Sequence, residues 1–273
     1  MRYLLIKLAL FLSLPLSMGC NAYISDNEIL ENENLNEVTL TSLISENKKT
    51  IYTKYKTPKD FIRTKPFNEF ASFINHLPLK SDKLKARLYD GTEKLNDYVY
   101  VGVLDLPQPK NNVQYNGNAI LRLRAEFLYK TKQFDKINFK TSSRQELKSF
   151  LEFAGDDLSS KKFNEYLEYL LYNVNPSHLH HHLISVPLKE MQIGDVLIQR
   201  SQSRGHAAIV MDMASDNNGN KLFLLAHAFY PGQDIYIASN LENDDINPWY
   251  PLKDGPIVTP EWRFMPNDLM RFK

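Results

Sequence analysis

The chain has 273 residues, a formal charge of +1, and 43% hydrophobic and 12% aromatic residues. That apolar content supports a real core and excludes a wholly disordered chain. A charge this close to zero gives no global field for nucleic acid, so nucleic acid is not an expected partner.

The N-terminus reads as an export signal. Arg2 and Lys7 form a positive start, and residues 8–16 form an apolar stretch too short to span a bilayer comfortably. Ser17-Met18-Gly19-Cys20 then resembles a lipobox, in which the thiol is acylated and becomes the new N-terminus. Ser17 stands where an aliphatic residue is usual. The alternative is ordinary cleavage after Ala22, with small residues at Cys20 and Ala22. Both readings predict export. The first adds lipidation at Cys20, a membrane partner through that lipid, and a place at a bacterial membrane facing the periplasm or the outside. Cys20 is the only cysteine, so the mature body has no thiol, disulfide or cysteine metal ligand.

The expected organisation is a signal over 1–20, a polar tether over 21–60 with one weak helix near 38–51, and a single globular domain over 61–273. Phe67, Phe70, Phe73 and Ile74 recur at helical spacing, and Pro78 closes that helix. Residues 84–89 read as a strand, Asp90-Gly91 as a turn, and 98–106 as a β-rich run. The clearest helix covers 118–131, with Ile120, Leu123, Phe127 and Leu128 on one face and Asn116 and Asn118 as candidate caps. Helices near 144–153 and 161–172 follow. From Gly194 the pattern turns to short apolar strands at 196–198, 207–213, 222–226 and 235–237. Helices first and antiparallel strands second predict an α+β domain.

The chemistry-bearing stretch is MQIGDVLIQ (191–199), RGHAAIVMDM (204–213) and FLLAHAF (223–229). A Gly-Asp turn opens one strand, Gly205-His206 opens the next, and His227 closes a third. This layout resembles the papain-like cell-wall amidopeptidases of the NlpC class. The resemblance implies a papain-like fold, His206 as base and His227 as its orienting residue. It also implies a nucleophile at a helix N-terminus, where the dipole lowers a thiol pKa. The helix start at 116–118 offers Asn116 and no cysteine. Ser142 and Ser143 open another helix, with nothing nearby to activate a hydroxyl.

A second resemblance covers residues 66–273. NHLPLK (75–80), LYDGTEKLN (88–96), VGVLDL (101–106), RLRAEFLY (122–129), NPWYP (247–251) and TPEWRF (259–264) are similar to domain of unknown function 4846. This is a family of bacterial envelope proteins, often lipoproteins. The resemblance implies a cysteine aligned with Asn116, a histidine with Tyr100 and a glutamine with His227, and this chain departs at all three.

Arg122 and Glu126 lie four apart on one helix face and can pair, with Arg124 pointing elsewhere, which reads as a solvated helix with buried ion pairs at its base. The functional alternative makes Arg122, Arg124 and Glu126 a clamp for a carboxylate of a peptide or glycan. His178, His180, His181 and His182 read as a polar loop; were they helical, His178 and His182 would share a face. No metal site and no cofactor are expected. Two functions follow: a weakened amide-bond hydrolase acting on cell-wall or peptide substrates, or a non-catalytic binding or assembly lipoprotein of the envelope.

Overall fold

A computed structural model describes residues 49–139, 147–174, 176–199 and 205–273. The expected signal, Cys20, most of the tether, Ser142 and Ser143 lie outside these residues. No described helix is long and apolar enough to cross a membrane.

The folded body begins before the expected boundary at 61. Helix α1 (Ile51–Lys54) is capped by Thr50, whose hydroxyl accepts from the Thr53 amide. Ile51 is fully buried and Tyr55 nearly so. Thr50 also bridges to Pro78. Residues 50–60 are therefore part of the domain, and the tether reading is corrected there. Ile51 and Tyr55 dock the segment, and the Trp249 indole, which donates to the Lys56 carbonyl at 2.9 Å, holds it further along.

Helix α2 (Glu69–Asn75) starts at Asn68, whose side chain accepts from the Ala71 amide, and buries Phe70, Phe73 and Ile74. Helix α3 (Asn116–Lys130) is the longest and buries residues on every side, from Gly117 to Leu128. Its cap is Tyr115 in extended conformation without a side-chain bond, so Asn116 and Asn118 do not cap it. Asn118 instead donates to the carbonyls of Val113, Leu171 and Val174, joining α3 to the helix that packs on it. Helix α4 (Phe150–Ala154) opens with a Ser149–Glu152 capping box, and α5 (Ser160–Asn173) with Ser159.

The strands are β1 (Ile62–Arg63), β2 (Tyr100–Val103), β3 (Leu183–Ser185), β4 (Val196–Gln199), β5 (His206–Ser215) and β6 (Lys221–His227). The rest are β7 (Tyr236–Ala238), β8 (Tyr250–Pro251), β9 (Ile257–Val258), β10 (Arg263–Phe264) and β11 (Leu269–Phe272). The main sheet runs β2-β7-β6-β5-β4-β11-β3, with β1 on β5 and β8 on β6, and all of these pairs are antiparallel. The fold is thus α+β. The stretch expected as a strand over 84–89 makes only isolated bridges at Arg87 and Leu88.

Strand β5 is the spine. All but its last residue are buried, and α1, α2 and α3 pack against it. A strand covered on both faces must be apolar throughout, which explains the run Ala207-Ala208-Ile209-Val210-Met211. Asp212 interrupts it at a register shift against β6. Its carboxylate meets Arg63 Nε of β1 at 2.8 Å, and burial, the largest influence, pushes its pKa up to about 6.

The Gly-Asp turn has a structural use. Gly194 sits at φ +91° with the Phe70 ring 3.1 Å from where a Cβ would stand. Asp195, fully buried, takes Arg271 of β11 in a bidentate grip at 2.7 and 2.9 Å. The turn thereby fastens the C-terminal strand between β3 and β4.

Candidate active site

The start of α3 faces the starts and ends of two central strands. Asn116 opens the helix at φ +47°, a left-handed conformation that asparagine tolerates better than most residues. Its amide N–H is used by the Ala228 carbonyl at 2.8 Å, just past β6. Its side chain reaches His206, the first residue of β5, while His227 closes β6 beside it.

The geometry fixes the protons. Asn116 Nδ2 donates to the Gly205 carbonyl at 2.8 Å, so the oxygen of that amide must be the atom facing His206. Asn116 Oδ1 lies 2.5 Å from His206 Nδ1 and can only accept. His206 therefore carries its proton on Nδ1 and presents a lone pair at Nε2. That lone pair lies 2.6 Å from His227 Nδ1, which must donate. His227 Nε2 is left bare, buried and without a hydrogen-bond partner. It points toward Glu261 Oε2 at 3.9 Å, too far for a hydrogen bond.

Glu261 is held from two sides. Lys94 Nζ donates to Oε1 at 2.7 Å, and the Tyr236 hydroxyl of β7 donates to Oε2. The Lys94 ammonium also lies over the Tyr236 ring at 5.2 Å. A single polar chain thus runs Asn116–His206–His227, then faces Glu261 with Tyr236 and Lys94 behind it. Glu261, Tyr236 and Lys94 were not singled out from sequence. All three fall in stretches noted above, TPEWRF, LYDGTEKLN and the apolar run 235–237, yet nothing in those strings marks a role.

The walls are aromatic. His206 has Phe229, Trp262 and Phe264 at ring distances of 4.9, 5.1 and 5.9 Å. His206 and His227 are each 1% exposed. Burial is the main cause that drives both pKa values down. His206 falls well below the ordinary histidine range with His227 as a further cause. His227 falls to about 4, with Glu261 opposing and Lys94 reinforcing the fall. Both rings are neutral at pH 7. On the other side of Asn116, Tyr115 meets the exposed Tyr230 edge to face at 5.4 Å.

Tyr100, the position at which the family resemblance implies a histidine, packs at 5.2 Å in a tilted pair with Tyr236, which in turn lies 4.9 Å from His227. The three positions of departure, 100, 116 and 227, thus converge on one cluster.

The proposed clamp is corrected. Arg122 and Glu126 are buried, 3% and 7% exposed, and bond to each other at 2.8 Å rather than to a ligand. Arg122 also donates to Gln114, whose amide donates to the Gln233 carbonyl at 2.8 Å. This network faces inward and commits Gln114 away from position 116. Arg124 is enclosed by Phe70, Phe127 and Phe272, with its guanidinium 4.7 to 5.2 Å from the rings, and burial lowers its pKa. The three residues do not converge on one ligand.

The histidine run forms a 3-10 helix, Pro176–His182. Three residues per turn set His178 over His181, not over His182. Among the described residues, no group of three or more His, Cys, Asp or Glu is placed to hold a metal.

With the geometry in hand, comparison with known proteins gives one result. A family model described as domain of unknown function (4846) matches residues 51–155 and 144–271. The chain belongs to this family. No curated protein and no solved structure matches it. The matched span of the 4846 family begins at the buried Ile51 and takes in every residue of the polar chain from Lys94 to Glu261.

Proposed function

We propose that this protein is a degenerate amide-bond hydrolase of papain-like type, with an NlpC-like cleft that keeps its base and orienting residue and has lost its nucleophile. The observation that carries the reading is the contact of Asn116 Oδ1 with His206 Nδ1 at 2.5 Å, at the N-terminus of a fifteen-residue helix. A nucleophile at that position would meet both an imidazole and the positive end of a helix dipole. The carboxamide of asparagine is too weak a nucleophile to attack a carbonyl. The histidine pair is neutral and deeply buried, and Glu261, 3.9 Å from His227 Nε2, does not offset that burial.

In this reading the chain is exported, lipidated at Cys20 and held at a bacterial membrane. Its substrates, or retained ligands, are cell-wall or other peptides. Incubation of the purified protein with wall fragments, followed by mass spectrometry, tests it. The expected result is no cleavage. Turnover at the ordinary enzymatic rate of about 10 s⁻¹ would contradict the loss of the nucleophile.

The second reading is a non-catalytic binding or assembly lipoprotein. The half-buried and exposed aromatic rim of Tyr115, Phe229, Tyr230 and Trp262 favours it. Retention of uncleaved wall peptides on the protein, lost on Tyr230→Ala, would select it.

A further inference from the structure

A second concave region lies between Lys49 and the segment over 79–87, and none of the residues described above at Asn116, His206 and His227 lines it. It is an open cleft of about 720 Å³. Its rim carries five cations, Lys49, Lys80, Lys83, Lys85 and Arg87, against two carboxylates. In a chain with a formal charge of only +1, this is a concentrated local excess.

The cations are not equally free. Lys49 and Lys54 both hold the carboxylate of Asp82, at 3.4 and 2.6 Å. Lys85 meets Asp97 at 3.0 Å. Buried Asp234 takes the Lys80 ammonium at 2.8 Å and the Arg87 backbone amide at 2.9 Å on the same oxygen. That carboxylate, 2% exposed, fixes the two sides of the cleft relative to one another. Among the described residues, no ion pair engages Lys83 or the Arg87 guanidinium. Two exposed cations thus stand free on a scaffold whose other charges are already pinned.

We infer that this cleft is a binding site for a phosphate-bearing anion, with Lys83 and Arg87 as its principal contacts. A carboxylate brings one charge and two oxygens in a plane. A phosphate monoester brings about −1.5 to −2 charges at pH 7 and three strong acceptor oxygens. The two cations left without an ion pair among the described residues, Lys83 and Arg87, match the second. Lysine ammoniums act as point charges on phosphate, and the arginine fork adds paired hydrogen bonds. The phosphate can belong to a soluble molecule or to a lipid headgroup. The inference is independent of the papain-like reading.

The test uses the full-length chain carrying Cys20→Ala, so that no acyl group contributes. Calorimetric titration with inorganic pyrophosphate forms one arm. Sedimentation with phosphatidylcholine vesicles, with and without phosphatidylglycerol, forms the other. The expected result is saturable binding in at least one arm, falling with added salt. Lys83→Glu with Arg87→Glu should weaken it at least tenfold, and Lys83→Ala with Arg87→Ala should weaken it less. Lys161→Glu, an exposed charge change on α5, should leave it unchanged. Binding to pyrophosphate identifies a soluble phosphate, and binding to anionic vesicles alone identifies a headgroup. No binding in either arm, equal binding of citrate, unchanged binding by the double variants, or equal loss in Lys161→Glu would each overturn the site.

Discussion

Asn116 Oδ1 and His206 Nδ1, ninety residues apart in sequence, lie 2.5 Å apart at the meeting of a helix start and a strand start. The Gly205 carbonyl fixes which amide atom faces the ring, so the contact also fixes the imidazole tautomer.

The charge at position 116 should control the imidazole. Asn116→Asp replaces a neutral acceptor with a carboxylate at hydrogen-bond distance. An opposite charge within about 4 Å favours the histidine cation by about 1–3 pKa units. The His206 ring, now held well below the usual range, should therefore titrate upward in Asn116→Asp by at least one unit. Histidine NMR shifts against pH measure this directly. An unmoved His206 would show that the two groups are not in contact.

The histidine pair should make stability fall with acid. His227 has a folded pKa of about 4 against an unfolded value near 6.5. Between those values the unfolded chain binds the proton and the folded one does not, so stability rises with pH. The contribution is fully present above pH 6.5 and is lost as pH falls toward 4, by about 3 kcal/mol for His227 alone. Asp212 acts in the opposite sense, because its pKa is raised to about 6 in the folded state and acid relieves its burial. His227→Gln isolates the first effect. The difference between its melting temperatures at pH 7 and pH 5 should be smaller than that of the parent by several degrees.

Arg63 and Asp212 should be unequal partners. Arg63→Met leaves a fully buried carboxylate without its cation, a loss of about 3–5 kcal/mol at pH 7. Lowering the pH below 6 protonates Asp212 and should recover part of that loss. Asp212→Asn removes the charge itself and should cost less than Arg63→Met at pH 7. Urea midpoints at pH 7 and pH 5 check both orderings.

The Arg122–Glu126 pair should behave as a structural element. Arg122→Met should destabilise by about 3–5 kcal/mol, since it strands Glu126 in the interior. Arg122→Met with Glu126→Leu should restore much of the loss. A double-mutant cycle showing no coupling would contradict the inward-facing pair.

Several elements were legible because their signal is local. The 3.6-residue spacing of Ile120, Leu123, Phe127 and Leu128 marks α3, and the short apolar runs after Gly194 mark β4 to β7. What escaped depends on distant partners. Strand β11 is four residues long and lies between β3 and β4, an order no local pattern contains. Residues 50–60 read as tether because Ile51 and Tyr55 sit among polar neighbours, yet both are buried. His206, His227 and Asn116 were readable as a set from the order of turns and strands. Glu261 was not, because a single glutamate in a loop resembles any solvated one until Tyr236 and Lys94 are seen to hold it. The reading of the helix around Arg122 and Glu126 as solvated failed because α3 is buried nearly all round, where amphipathic spacing no longer tells inside from outside.

The most direct test of the central claim replaces the asparagine with the missing thiol. In Asn116→Cys, the thiol stands beside His206 and at the head of α3, and both stabilise the thiolate. Its alkylation by iodoacetamide at pH 7, followed peptide by peptide with mass spectrometry, should outpace that of an exposed control, Lys161→Cys, by at least tenfold. Adding His206→Ala to Asn116→Cys, with folding checked by circular dichroism, should remove most of the acceleration. Reaction at the control rate, or acceleration that survives His206→Ala, would contradict the account of Asn116 as the occupant of a nucleophile's position.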